Sequence, residues 1–351
     1  MSFSNKILSW FQQHKRALPW RETRNPYIIW LSEIILQQTR VEQGLPYFLK
    51  FVETYPTVTK FAMAEEDELL RLWQGLGYYS RVRNMLKASK IVLEQQEGEF
   101  PTSYKDLLKL PGIGEYTAAA IASFSVNTAH AVVDGNVFRV LSRYFGIDEP
   151  INSTLGKKLF TKLAHELLDL ENPGEYNQAI MDFGALQCKP KNPNCEDCIF
   201  RLECVARKEG TVHLLPKKIK GKKSKNRYFH YFLIEVNGEI LMTQRGDKDV
   251  WANLYELPMI ETPADTTLDA LMELPEYQSV FGDEVPRPIV GPIKHILSHQ
   301  AIFASFYHIN IENTTWDKKN EWNYILSENI DKLAKHKLMS SFFEQYYFSA
   351  N

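Results

Sequence analysis

Four cysteines, Cys188, Cys195, Cys198 and Cys204, fall within seventeen residues in the spacing C-x6-C-x2-C-x5-C, and the other 334 residues contain none. A disulfide framework would spread its cysteines to close loops across the fold. The clustering reads instead as one metal site in a protein of a reducing compartment. Four thiolates on one loop can wrap a single tetrahedral ion or a cubane cluster. Four-cysteine zinc sites pair two short C-x2-C knuckles. Only one short pair occurs here, and the uneven spacing favours [4Fe–4S], with zinc as the alternative. No histidine or spare carboxylate stands nearby at ligand spacing, so a structural role is expected.

Two further stretches carry chemistry. Leu107–Ala122 reads LLKLPGIGEYTAAAIA. Pro111 ends one helix, Gly112 and Gly114 permit a tight turn with exposed backbone, and the next helix begins at once. Its free N–H groups and positive dipole end then point outward, as a phosphate-binding hairpin requires. The alternative is an ordinary helical corner. Soon after comes VVDGNVFRV, with Asp134 inside an apolar run. A carboxylate there is costly unless capped or used. As N-cap of a following helix it would stay ionised and could stabilise a nearby cation.

The elements that must position these residues divide the chain. Residues 1–206 show apolar residues three and four apart in 29–37, 65–74, 83–95, 115–125 and 155–170, broken by Pro and Gly, so this part is expected to be all-α. Residues 207–227 read as a basic linker with nine Lys/Arg and one Glu. Residues 228–351 are expected to be α+β: two strands meet at Asn237-Gly238, 302–311 is another strand, and the stretch from Glu321 to the end carries helical patterns. The chain is therefore multi-domain, as its 351 residues suggest. Its net charge of −2 hides a near-neutral first part, a linker of +8 and a last part of −9. That total excludes a histone-like polycation without excluding nucleic acid. The linker is either a solvated tether or a strap facing a polyanion. No apolar run approaches a membrane span, and the N-terminus lacks the features of a signal peptide, so no membrane and a cytoplasmic protein are expected, nucleoid-associated if bacterial.

These motifs, together with LPWR (18–21), WLSEIILQQT (30–39), QGLGYYSR (74–81), Asn177-Gln178-Ala179 and Asp182-Phe183-Gly184-Ala185, resemble the helix–hairpin–helix DNA glycosylases of the endonuclease III type. Within that superfamily the resemblance is to the MutY-type adenine DNA glycosylases, and it covers nearly the whole chain. It implies an all-α glycosylase domain closed by an iron–sulfur loop at 188–204, followed by a Nudix-like domain that reads the base opposite adenine. The implied partner is double-stranded DNA containing A:8-oxoguanine or A:G mispairs, and the implied state a monomer.

The resemblance also assigns roles. Glu33 becomes the general acid and base, and the apolar helix around it would raise its pKa. Asp134 becomes the carboxylate that stabilises an oxocarbenium-like sugar. Bifunctional relatives carry a catalytic lysine where this chain has Tyr116, which implies a monofunctional enzyme. Tyr116 and Asn136 are implied helpers near the sugar. Gln38 and Tyr78 are implied wedges beside the opposite base, with Thr39 and Leu76 next to them. Arg16, Trp20, Arg21 and Gln178 are implied adenine-pocket residues, although Trp20 reads equally as core and Leu76 as part of a helix-ending turn. In the loop Lys294–Gln300, Ser298 and His299 are the implied lesion contacts, and Leu297 stands where the family has an aromatic. After Pro258 no R-E-x-x-E-E box follows, so the second domain is expected to read rather than hydrolyse.

Overall fold

The computed structural model describes residues 1–221, 224–310 and 322–348. Backbone proximity divides them into two units: residues 1–64 with 84–220, and 65–83 with 221 onward.

The first unit is helical. Its main helices are α1 (Phe3–His14), α2 (Pro26–Ile35), α3 (Val41–Thr54), α4 (Ser80–Gln95), α5 (Glu115–Val126), α6 (Gly135–Phe145), α7 (Thr154–Glu166) and α8 (Pro173–Asp182). Residues 80–83 at the start of α4 group with the other unit. Asn25 caps α2 by accepting from the Tyr27 amide at 2.9 Å, and Pro26 presets its first turn. Eight of its ten residues are buried, so α2 is a core helix rather than an amphipathic one. α6 begins at its Asp134 cap and ends at Gly146, which takes the left-handed conformation at φ +68°. Ile7, Trp10, Val137, Leu141, Ile180 and Phe183 join α1, α6 and α8 in one core.

The basic stretch from 207 does not behave as a free tether. The part up to 220 lies on the first unit: Arg143 donates to the Leu215 carbonyl at 3.0 Å, the Ile151 amide to the Lys217 carbonyl at 3.0 Å, and Lys217 pairs with Asp148. Leu215 is buried there. Lys222 and Lys223 lie outside the described residues.

Among the described residues the second unit is built on a mixed sheet of seven strands: β1 (Lys225–Val236), β2 (Glu239–Gln244), β3 (Tyr255–Glu256), β4 (Met259–Thr262), β5 (Arg287–Ile296), β6 (Gln300–Ile309) and β7 (Trp322–Leu326). β1 and β2 form the expected hairpin, with Asn237 and Gly238 both at positive φ. β1 runs parallel to β6, with Lys225 opposite Gln300 and Ile234 opposite Ile309. Alternation along these strands sends Phe232, Ile234, Tyr307 and Ile309 to one face, packed with Leu271, Tyr277 and Phe281. On the other face Tyr231 stacks on Phe306 at 5.0 Å, and Phe306 on Phe342 at 4.1 Å. The expected strand 302–311 is β6, and Ile311 lies outside the described residues. One expectation is corrected. Trp322–Leu326 is not helical but a strand, because it pairs antiparallel with β2 from Glu239 to Thr243. Glu321 and residues 349–351 lie outside the described residues.

Candidate active site, metal loop and recognition cavity

α2 carries Glu33 into the interior of the first unit, where it is only 8% exposed. From α5 the Tyr116 hydroxyl donates to Glu33 Oε2 at 2.7 Å. Burial pushes the Glu33 carboxyl up to about 7; the Tyr116 hydrogen bond pulls against that, Asp134 adds to it, and Arg21 opposes it. Burial also drives the Tyr116 phenol far above its ordinary range, with the Glu33 and Asp134 charges adding, so Tyr116 stays a donor. Asp134 Oδ1 accepts from the amides of Asn136 (2.9 Å) and Val137 (2.8 Å), and Oδ2 from the Asn136 side chain (2.7 Å). Burial raises the Asp134 carboxyl, and those three donors together with Arg139 oppose the rise. Burial pushes both carboxyls up, but their partners differ: Glu33 accepts from the Tyr116 hydroxyl, and Asp134 from the amides of a helix N-terminus.

Arg139 on α6 holds this arrangement from below. Its guanidinium donates to Asn136 Oδ1 (2.8 Å), to the Gly184 carbonyl (2.7 Å) and to the Cys188 carbonyl (2.8 Å). Gly184 has to be glycine here, because a Cβ would come within 2.7 Å of Asn136 Cβ.

A cavity of about 680 Å³ collects ten of the residues expected at the site: Arg16, Trp20, Arg21, Glu33, Gln38, Thr39, Tyr116, Asp134, Asn136 and Gln178. Trp20 is buried edge-on against Phe48 and also lines the cavity. Gln38 sits in the left-handed region at φ +59°, a conformation costly for a non-glycine residue. Arg16 and Arg21 both pair with Asp182, which is fully buried. Asp182 and Arg139 stand in motifs quoted from the sequence but were given no role there. Their signal is the one that marks Asp134, a charged residue in an apolar run.

At the hairpin, Gly112 adopts φ +81° and Gly114 precedes α5 in extended conformation. Gly114 has no side chain to cap α5, and its carbonyl takes its first intrahelical bond from Ala118. The Glu115, Tyr116 and Thr117 amides therefore lack helical partners.

The four cysteines border one largely apolar cavity with Val140, Arg143, Phe183 and Phe200. Arg143 Nη1 lies 3.5 Å from Cys188 Sγ, the Phe200 amide 3.5 Å from Cys198 Sγ, and the Cys204 thiol donates to the Arg143 carbonyl at 3.3 Å. Burial pushes the Cys198 thiol up to about 11. Among the described residues no three Cys, His, Asp or Glu side chains stand as a ready ligand set for one metal ion.

The remaining expected contacts lie in the second unit. Leu76 is buried in a turn between Gly75 (φ +99°) and Gly77 (φ +70°), held by Trp73 and Arg81 donating to the Gly77 carbonyl. Tyr78, half-exposed and at φ +49°, is hydrogen-bonded through its hydroxyl to the Ser298 hydroxyl. Both line a cavity of about 650 Å³ with Leu76, Trp251, His295, Leu297, His299 and Lys337. Behind it, Trp251 stacks on buried His336 at 3.7 Å, and His336, Tyr231 and Arg245 converge on Glu256.

A helical unit with an interior carboxyl pair beside a glycine hairpin, joined to a mixed-sheet unit, defines a class. Residues 31–165 match the HhH-GPD superfamily of base excision DNA repair proteins, and residues 230–345 match the NUDIX domain. An adenine DNA glycosylase of Buchnera aphidicola subsp. Schizaphis graminum is 39% identical over 268 residues, 75% of this chain and 76% of that one. The human adenine DNA glycosylase is 32% identical, spanning 90% of this chain and 68% of that one. Among solved structures, a thermostable thymine-DNA glycosylase superposes with TM-score 0.55 at 30% identity, over 59% of this chain and 95% of that chain. An endonuclease III–DNA complex at 22% identity and TM-score 0.52 shares the fold. The chain belongs to the adenine DNA glycosylases, the HhH-GPD base excision repair enzymes that carry a C-terminal NUDIX-type domain. Among the described residues no helix is long and apolar enough to cross a membrane.

Proposed function

We propose that this enzyme hydrolyses the N-glycosidic bond of adenine mispaired with 8-oxoguanine or guanine in double-stranded DNA, acting as a monomer without a lyase step. The observation that carries the reading is the pairing of a buried Glu33, titrating near 7, with an N-capping Asp134 in one cavity. Extruding a base costs a few kcal/mol, less at a mispair. With adenine in the cavity, protonated Glu33 delivers its proton to N7, which makes the base a better leaving group. Asp134, held as an anion by the first amides of α6, stabilises the positive charge that grows on the sugar. Glu33, now a carboxylate, takes a proton from the attacking water. Tyr116 orients Glu33 and offers no amine for a Schiff base. Gly112, Gly114 and the open amides of α5 suit a DNA phosphate.

We assign the second-unit cavity to the base opposite adenine, with Tyr78, Leu76, Ser298 and His299 as readers, while Gln38 and Thr39 act from the end of α2. Cys188, Cys195, Cys198 and Cys204 would hold a [4Fe–4S] cluster. Four thiols around one cavity, unevenly spaced in the chain, suit a cubane, and Arg143 suits the cluster's negative charge. The cluster would supply rigidity to the loop and no step of the hydrolysis.

The test is product analysis on A:8-oxoguanine, A:G and thymine-glycol duplexes, with and without alkali. Free adenine together with strand breaks only after alkali is expected. Strand breaks without alkali and no adenine release would refute the reading.

A further inference from the structure

Asp182, the last residue of α8, is fully buried and touches neither Glu33 nor Asp134 in any hydrogen bond, yet two arginines of the catalytic cavity converge on it. Arg16 donates to it through its backbone amide (3.2 Å), Nε (2.9 Å) and Nη2 (2.5 Å), and Arg21 through Nη1 (2.8 Å) and Nη2 (2.9 Å). Arg21 also donates to the Arg16 carbonyl at 3.1 Å and lies over the Phe11 ring. Five donors, three on Oδ1 and two on Oδ2, saturate the acceptor sites of one carboxylate. Burial alone would raise its pKa, but the hydrogen bonds from Arg21 and Arg16 hold it below the ordinary carboxylate range.

The clamp has a place in the fold. Arg16, Trp20, Arg21 and Gln178 form a wall common to the catalytic cavity and to a second cavity of about 510 Å³ that opens among Lys15, Arg24, Asn127 and Glu175. Two guanidiniums side by side repel one another unless a shared anion holds them. We propose that Asp182 is a positioning residue of the glycosylase: it fixes Arg16 and Arg21 as a pair, so that the wall against which the extruded base rests is formed before the base arrives. The inference rests on the glycosylase reading above. Asp182 acts only through the arginines, because its acceptor sites are already filled.

The same clamp cancels part of the charge that Arg21 presents to the acid. Glu33 is faced by Tyr116 from α5, by Asp134 from the cap of α6 and by Arg21, and Arg40 and Glu42 line the same cavity. In Asp182→Asn the carboxamide cannot accept five donors, and one more positive charge stays uncancelled.

Single-turnover kinetics on an A:G duplex between pH 5 and 9 provide the test, with folding checked by circular dichroism. Asp182→Asn should raise the half-saturating enzyme concentration about tenfold and move the alkaline limb of the rate by about half a pH unit toward acid. Arg21→Lys keeps the charge and loses the planar fork, so it should raise half-saturation with the limb in place. Unchanged half-saturation and limb in folded Asp182→Asn overturn the proposal. Should that variant not fold, unchanged half-saturation in both Arg21→Lys and Arg16→Lys overturns it instead. Wild-type enzyme that releases no adenine refutes the glycosylase reading itself, whereas release with unaffected variants refutes only the clamp.

Discussion

Glu33, the proposed acid, trades stability for chemistry. Its carboxyl is raised from the ordinary value to about 7 by burial. Between roughly pH 4.5 and 7 the folded state therefore binds a proton that the unfolded state has released, and stability falls as pH rises through that window, by about 3 kcal/mol at most. Glu33→Gln removes the penalty. Its thermal midpoint should exceed that of the wild type by a few degrees at pH 8 and match it at pH 4.5; equal midpoints at both pH values would show that Glu33 is not held at a cost. The same titration predicts that the wild-type rate falls above about pH 7 as the acid form is lost. Burial of Glu33 was legible in IWLSEIIL, which leaves no polar face on α2. The partnership of Asp182 with Arg16 and Arg21 was not. A charged residue in AIMDFGA signals a buried partner, but nothing local says that the partners lie more than 160 residues earlier.

At the scale of elements, Asp134 is an N-cap and, as proposed, the catalytic anion, and substitution can separate the two roles. Asp134→Asn keeps an acceptor for the Asn136 and Val137 amides, so stability should hold within about 1 kcal/mol. Base release should nevertheless fall by at least about a thousandfold once the anion is gone. A denaturant titration beside the rate measurement checks both, and substantial activity in Asp134→Asn would break the assignment. The hairpin offers a second contrast. Gly112 is at φ +81° with Asn84 Cβ 2.9 Å from a would-be Cβ, whereas Gly114 is extended with open space beside it. Gly112→Ala should cost about 1–2 kcal/mol, and Gly114→Ala far less, each read from the urea midpoint. Helices, hairpins and caps were legible because their signals are local. Trp322–Leu326 was misread because five residues of mixed pattern become a strand only through β2, which lies some eighty residues earlier.

For the whole molecule, the net charge of −2 is a sum over unlike parts, and the basic stretch is largely seated on the helical unit instead of hanging free. The sequence division into 1–206, a linker at 207–227 and 228–351 carries no sign that residues 65–83 group with the sheet-bearing unit, where Gln74 donates to Ser340 and Asn253 to Glu66. Tyr78 and Ser298, far apart in the chain, thereby share one cavity. Ser298→Ala and His299→Ala should lower the preference for A:8-oxoguanine over A:G by about tenfold, one hydrogen-bonded contact's worth, with the A:G rate unchanged. Equal loss on both duplexes would mean that the loop supports binding in general and does not read the opposite base.

If Glu33 performs the proton transfers of adenine hydrolysis, its loss must stop base release. Single-turnover release of adenine by Glu33→Gln, measured with duplex affinity on the same A:8-oxoguanine substrate, tests it most directly. A loss of at least about a thousandfold in rate is expected, with affinity kept within a few-fold. A Glu33→Gln enzyme that still releases adenine at near wild-type rate would contradict it.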